Sequence, residues 1–138
     1  MSAAGGWWAV AATGLGPVVT EWVELAPEDA VTAERECTAS PWPNFTATCF
    51  QSQQAIEKLM KGLLARNGVV PPKTHDLIVL DGMLARVCAG WTWSHTELRT
   101  LTLGAVEYRY PGQRANTQEG QAALSICKRV WPVLAALL

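Results

Sequence analysis

Apolar residues recur at helical spacing in five stretches of the chain, and no stretch alternates with the period of a strand. The spacing predicts a first helix over 17–39, carried by Val19, Trp22, Val23, Ala26, Ala30, Ala33 and Cys37. Pro27 falls inside it and is expected to kink or restart it, because the ring blocks the hydrogen bond of the preceding turn. Pro41-Trp42-Pro43-Asn44 then punctuates. The second helix, 45–66, has the clearest stripe: Ile56, Leu59, Met60, Leu63 and Leu64. Glu57, Lys58 and Lys61 take its other face, where Glu57 and Lys61 form an i, i+4 pair expected to be solvated. Asn67-Gly68 supplies a left-handed stop, and Pro71-Pro72 stiffens the following loop.

The third helix is expected to open with Thr74 as N-cap and Asp76 in its first turn, where a carboxylate suits the positive end of the dipole. Its stripe is Leu77, Leu80, Leu84 and Val87, and Gly90 marks its end. Ser94 with Glu97 reads as a capping box for the fourth helix. There Leu98, Leu101, Ala105 and Tyr108 face inward, and Pro111-Gly112 provides the stop. The fifth, 117–137, carries Ala123, Ile126, Val130, Leu134 and Leu137, with Pro132 expected to bend or fray it. Long helical hairpins on short loops imply an all-α fold: an antiparallel up-and-down four-helix bundle with an additional short or kinked helix, over 17–138.

Residues 1–16 are read as a flexible or atypical leader, disordered or docking a partner. The stretch is apolar, but it lacks Lys and Arg and is broken by Gly5, Gly6, Gly14 and Gly16, unlike a signal peptide or a membrane span. With 11 basic and 12 acidic residues, the chain lacks the general field that draws proteins to nucleic acid. The cysteines at 37, 49, 88 and 127 form no C-x-x-C pair. No metal or other cofactor is expected; the thiols read as reduced core residues of a cytoplasmic protein.

Three separated phrases add a family resemblance: Gln53-Gln54-Ala55-Ile56-Glu57-Lys58, Lys73-Thr74-His75-Asp76-Leu77 and Arg109-Tyr110-Pro111. In order and spacing they are similar to HEPN domains (higher eukaryotes and prokaryotes nucleotide-binding), in particular to the nucleotidyltransferase-associated type. The resemblance implies a helical bundle that forms a homodimer and works beside a small nucleotidyltransferase. Ribonuclease members carry an Arg, four to six residues, then a His. Here His75 and His95 are preceded at longer spacing by Arg66 and Arg86, so that activity is not carried over.

His75 is the first candidate residue: a neutral imidazole at a helix start, with Lys73 for charge and Asp76 to orient it, suits a phosphate or nucleobase. The plainer alternative is helix capping by Thr74, His75 and Asp76. Lys58 shares a face with Lys61, and Gln53 and Gln54 suit hydrogen bonds across a bundle or to a base edge. Arg109 and Arg114 flank Pro111-Gly112, where either a phosphate contact or a favourable helix C-terminus explains them. Trp91 and Trp93 read as a plug over the bundle end or an anchor for a partner.

The leading expectation is a non-catalytic binding module with Lys58, Lys73, His75 and Arg109 as its nucleotide-binding set. Two alternatives stand beside it. One is a divergent, toxin-like, metal-independent ribonuclease using His75 and a cation across a dimer interface. The other is an antitoxin-like adaptor that binds only protein. No membrane contact is expected, and RNA binding stays open.

Overall fold

The computed structural model describes residues 6–11, 13–108 and 110–138. Its elements are α1 (Pro17–Thr38), α2 (Phe45–Arg66), α3 (Leu77–Val87), α4 (His95–Val106) and α5 (Thr117–Leu137). Among the described residues there is no strand. The fold is all-α. Helix α2 is its centre, packing against each of the other four. Ile56, Leu59, Met60, Leu63 and Leu64 are fully buried on it, against Leu77, Leu80, Leu84, Leu98, Leu101, Val130 and Leu134 from the surrounding helices. Burying each such side chain contributes about 1.5–3 kcal/mol, which is why this stripe sets the packing order.

Central placement also overturns one expectation. The helical pattern puts Glu57 and Lys61 on a solvated face, yet they are only 4% and 5% exposed. The face of α2 that carries Gln53, Glu57 and Lys61 is covered by its neighbours, so those polar residues must be paired inside.

Helix boundaries follow local chemistry. Asn44 caps α2 by accepting from the Ala47 N–H at 2.9 Å, and Gly68 takes φ 78° just beyond its end. Helix α3 begins later than expected. Asp76, not Thr74, is its N-cap, accepting from the Ile78 N–H at 2.9 Å, while Thr74 Oγ1 accepts from the Asp76 N–H at 3.1 Å. His75 therefore lies in the loop rather than in the helix. The same helix ends at Val87, before Gly90. Ser94 caps α4, but Glu97 turns its carboxylate to Trp93 and Arg129. That helix stops at Val106, ahead of Pro111-Gly112, and leaves Tyr108 in the loop. A full capping box, not anticipated, starts α5: Asn116 and Glu119 each accept from the other's backbone N–H. Pro27 and Pro132 lie inside single helices and restart neither.

The segment ahead of α1 makes specific contacts. The Trp7 indole donates to Glu34 at 3.2 Å and meets Trp131 edge-on at 5.7 Å, while the Trp131 indole donates to the Ala9 carbonyl at 2.9 Å. No helix among the described residues is long and apolar enough to cross a membrane.

Candidate functional site

Gln53, Glu57 and Lys61 stand four residues apart on α2 and so share one face. A buried carboxylate is tolerated only when paired and hydrogen-bonded. Glu57 meets that condition: Oε1 accepts from Gln53 Nε2 at 3.0 Å and from His75 Nδ1 at 2.9 Å, and Oε2 accepts from Lys61 Nζ at 3.1 Å. Lys61 also sits 5.5 Å from the centroid of the Trp22 ring, a cation–π contact. Gln53 uses its second N–H on the His75 carbonyl at 2.9 Å and accepts from Gln54 at 2.8 Å.

The α2–α3 loop is thus held at His75 through both backbone and ring. A carboxylate only accepts, so Nδ1 carries the proton and Nε2 is the open nitrogen. The His75 side chain is 74% exposed above a carboxylate that is only 5% exposed. This arrangement presents an oriented imidazole at the surface. Its support is buried; its working edge is not.

The expected set is only partly brought together. Lys73 is exposed in the same loop, two residues before His75. Lys58, adjacent to Glu57 in sequence, instead forms an ion pair with Asp29 of α1. Arg109 lies outside the described residues. Its neighbours Tyr108 and Tyr110 line a cleft of about 780 Å³ between the α1–α2 and α4–α5 loops. Phe45 also lines that cleft, twelve residues ahead of Glu57, which is about 18 Å along a helix. The cleft and the His75 loop are therefore separate places.

A second buried carboxylate echoes the first. Asp81 accepts from the Trp91 indole at 2.8 Å and contacts His95 Nε2 at 2.7 Å, and the His95 side chain is 70% exposed. Trp91 is buried at 5% exposure, in keeping with a plug. Beside the cleft, the Tyr108 hydroxyl donates to Glu119. Burial first, and that hydrogen bond next, push the Tyr108 hydroxyl well above its ordinary pKa. The same bond, with the Asn116 N–H, holds Glu119 below the usual carboxylate value. Among the described residues, no three His, Cys, Asp or Glu side chains are grouped to hold a metal ion.

The helical arrangement and its polar centre bear on the chain's relationships. The family model described as HEPN domain matches residues 19–136. The chain belongs to the HEPN domain family. No curated protein and no solved structure matches it. In this HEPN domain the Gln53–Glu57–Lys61 row was missed as a site because helical periodicity sorts residues into only two faces. The available signal was the Gln-Gln-x-x-Glu-Lys phrase itself, together with the Lys-Thr-His-Asp-Leu phrase whose histidine it holds.

Proposed function

We propose that this HEPN domain is a non-catalytic binding module that receives a nucleotide at the His75 loop and works beside a nucleotidyltransferase-type partner. The supporting observation is the oriented imidazole. Two buried groups, Gln53 and Lys61, hold Glu57 in place, and Glu57 holds one ring at the surface, with Nε2 open and Lys73 close in sequence. Orienting a polar group before a ligand arrives lowers the ordering cost of binding. Lys73 supplies charge for a phosphate, and His75 Nε2 a directional hydrogen bond.

The test is the melting temperature against mono-, di- and trinucleotides, with and without magnesium. A ligand that binds only the folded chain at one hundred times its Kd stabilises it by about 2.7 kcal/mol. His75→Ala and Lys73→Ala are expected to abolish the shift. Glu57→Gln is expected to weaken it, because the ring stays exposed but loses its orientation. No shift with any nucleotide refutes this reading.

The same dyad favours a second reading, a metal-independent ribonuclease. A carboxylate that fixes an imidazole by Nδ1 is the arrangement a general base uses, with Nε2 taking the proton of the attacking hydroxyl. Cleavage of RNA that persists in chelator and disappears in His75→Ala would establish it. Intact RNA at high protein concentration would exclude it.

A further inference from the structure

The cleft between the α1–α2 and α4–α5 loops is not used by either reading. Aromatic and proline side chains form part of its walls, with Trp42 and Pro43 on one loop and Tyr110 and Pro111 on the other, among the polar side chains of Asn44, Thr46 and Gln113. Trp42 is 83% exposed and Tyr110 is 69% exposed, so the indole N–H and the phenol O–H are left to water. Glu36 and Arg114 contribute one charge of each sign to the lining.

The loops that carry these side chains are held in place. Asn44 donates its N–H to the Glu36 carbonyl at 2.8 Å, and Gln113 donates to the Tyr110 carbonyl at 3.0 Å. The Ala115 N–H donates across to Thr46 Oγ1 at 3.0 Å, tying the second loop to the first turn of α2. Gly112 takes φ 84°, which turns the second loop back toward α5. Two exposed aromatic rings on loops anchored to the ends of α1 and α2 form a surface of ridges.

A phosphate-bearing ligand fits this cleft poorly. Each helix N-terminus beside it already has one N–H taken by its cap: Asn44 holds the Ala47 N–H, and Asn116 holds the Glu119 N–H. That leaves fewer of the donors an anion would use. The Glu36 carboxylate repels a phosphate, and Arg114 is the lone cation among the described lining residues. An extended peptide in polyproline II conformation meets the opposite set of conditions. Its backbone carbonyls have no internal partners, and its stiffness limits the entropy lost on binding. Aromatic ridges with an N–H and an O–H at their tips supply both contact area and donors for those carbonyls. Glu36 provides a place for a basic side chain flanking the prolines.

We propose that this cleft is a docking groove for an extended proline-rich segment of a partner protein that carries a basic residue. The proposal is independent of the nucleotide reading, since the His75 loop is a separate place on α2.

The test uses the full chain, with nitrogen-15 in its tryptophan indoles, titrated with short synthetic proline-rich peptides. One peptide carries a single arginine, one carries none, and a glycine–serine peptide is the control. The Trp42 indole resonance, assigned from its loss in Trp42→Ala, is expected to move with both proline-rich peptides and not with the control. Trp42→Ala and Tyr110→Ala, read by fluorescence polarisation of the labelled peptide, are each expected to weaken binding by about tenfold or more. Their melting temperatures should stay unchanged, because both rings are exposed. Glu36→Gln is expected to remove the preference for the arginine peptide and to leave binding of the other intact. No movement of the Trp42 resonance at millimolar peptide overturns the proposal. So does peptide binding that survives both aromatic substitutions, and so does a Trp42 resonance that responds to mononucleotides in place of the peptides.

Discussion

Replacing Glu57 by alanine tests whether the buried polar row of α2 is organised as described. The change removes the acceptor of three contacts: Lys61 Nζ at 3.1 Å, His75 Nδ1 at 2.9 Å and Gln53 Nε2 at 3.0 Å. His75 loses little, since its side chain is 74% exposed and water replaces the carboxylate. Gln53 keeps the His75 carbonyl as a partner. Lys61 decides the outcome. Its side chain is 6% exposed, so the substitution leaves an unpaired buried ammonium. Breaking a buried pair in this way costs about 3–5 kcal/mol. The Trp22 ring at 5.5 Å stays in place and offsets about 0.5–2 kcal/mol of that loss. The net expectation is a destabilisation of about 3 kcal/mol, a fall of roughly 10 °C in melting temperature for a domain of this size. Urea unfolding should show a lower midpoint at unchanged slope. In Glu57→Ala with Lys61→Met the stranded charge is gone, and most of the lost stability should return. A Glu57→Ala variant within about 0.5 kcal/mol of the parent, as at an ordinary surface site, would refute the reasoning. A double variant as unstable as the single one would do the same.

Other expectations rest on separate contacts. Gly120→Ala should destabilise by about 1–3 kcal/mol through overpacking even though alanine favours helix, because the new Cβ would lie 2.6 Å from the Phe45 ring; thermal unfolding reads it. Asp81→Ala should cost about 1–3 kcal/mol by stranding the buried Trp91 indole N–H, and a change in near-ultraviolet circular dichroism should accompany the loss. Glu97 is held below its ordinary pKa of 4.5 chiefly by the Arg129 hydrogen bond, and Glu119 below the same value chiefly by Tyr108. A lowered carboxylate stabilises the fold above its unfolded pKa and loses that contribution as pH falls through the folded value. Glu97→Gln and Glu119→Gln should therefore flatten the decline in melting temperature below pH 4.5. Burial pushes the Cys49 thiol up to about 11 and the Cys127 thiol higher still, so a thiol reagent should label Cys37 and Cys88 first and Cys127 only after unfolding.

Much of this fold was written locally. The stripe Ile56, Leu59, Met60, Leu63 and Leu64 places α2 from its spacing alone, and Asn67-Gly68 ends it, because backbone preference and hydrophobic period act within a few residues. The family too was legible from three short phrases. Starts and stops that depend on competition between neighbouring caps were less so. Thr74 and Asp76 are both good caps, and Asp76 prevailed where Leu77 packs into the core and donates its N–H to Thr102 Oγ1.

What only the tertiary structure decided is the fate of the polar residues. Glu57, Lys58 and Lys61 are nearly adjacent and look alike on a helical wheel. Glu57 and Lys61 are enclosed because neighbouring segments cover their face of α2, while Lys58 is partly exposed and reaches Asp29 on α1. No local rule separates them, since the difference comes from where α1 and the α2–α3 loop run. The union of Glu57 with His75, eighteen residues apart, likewise depends on how the loop folds back over α2. The cleft between Trp42 and Tyr110 depends on two loops far apart in sequence meeting at one end of the bundle. Sequence fixes elements through interactions between near neighbours. Burial, charge pairing and clefts belong to the assembled helices, because they depend on which surfaces exclude water together.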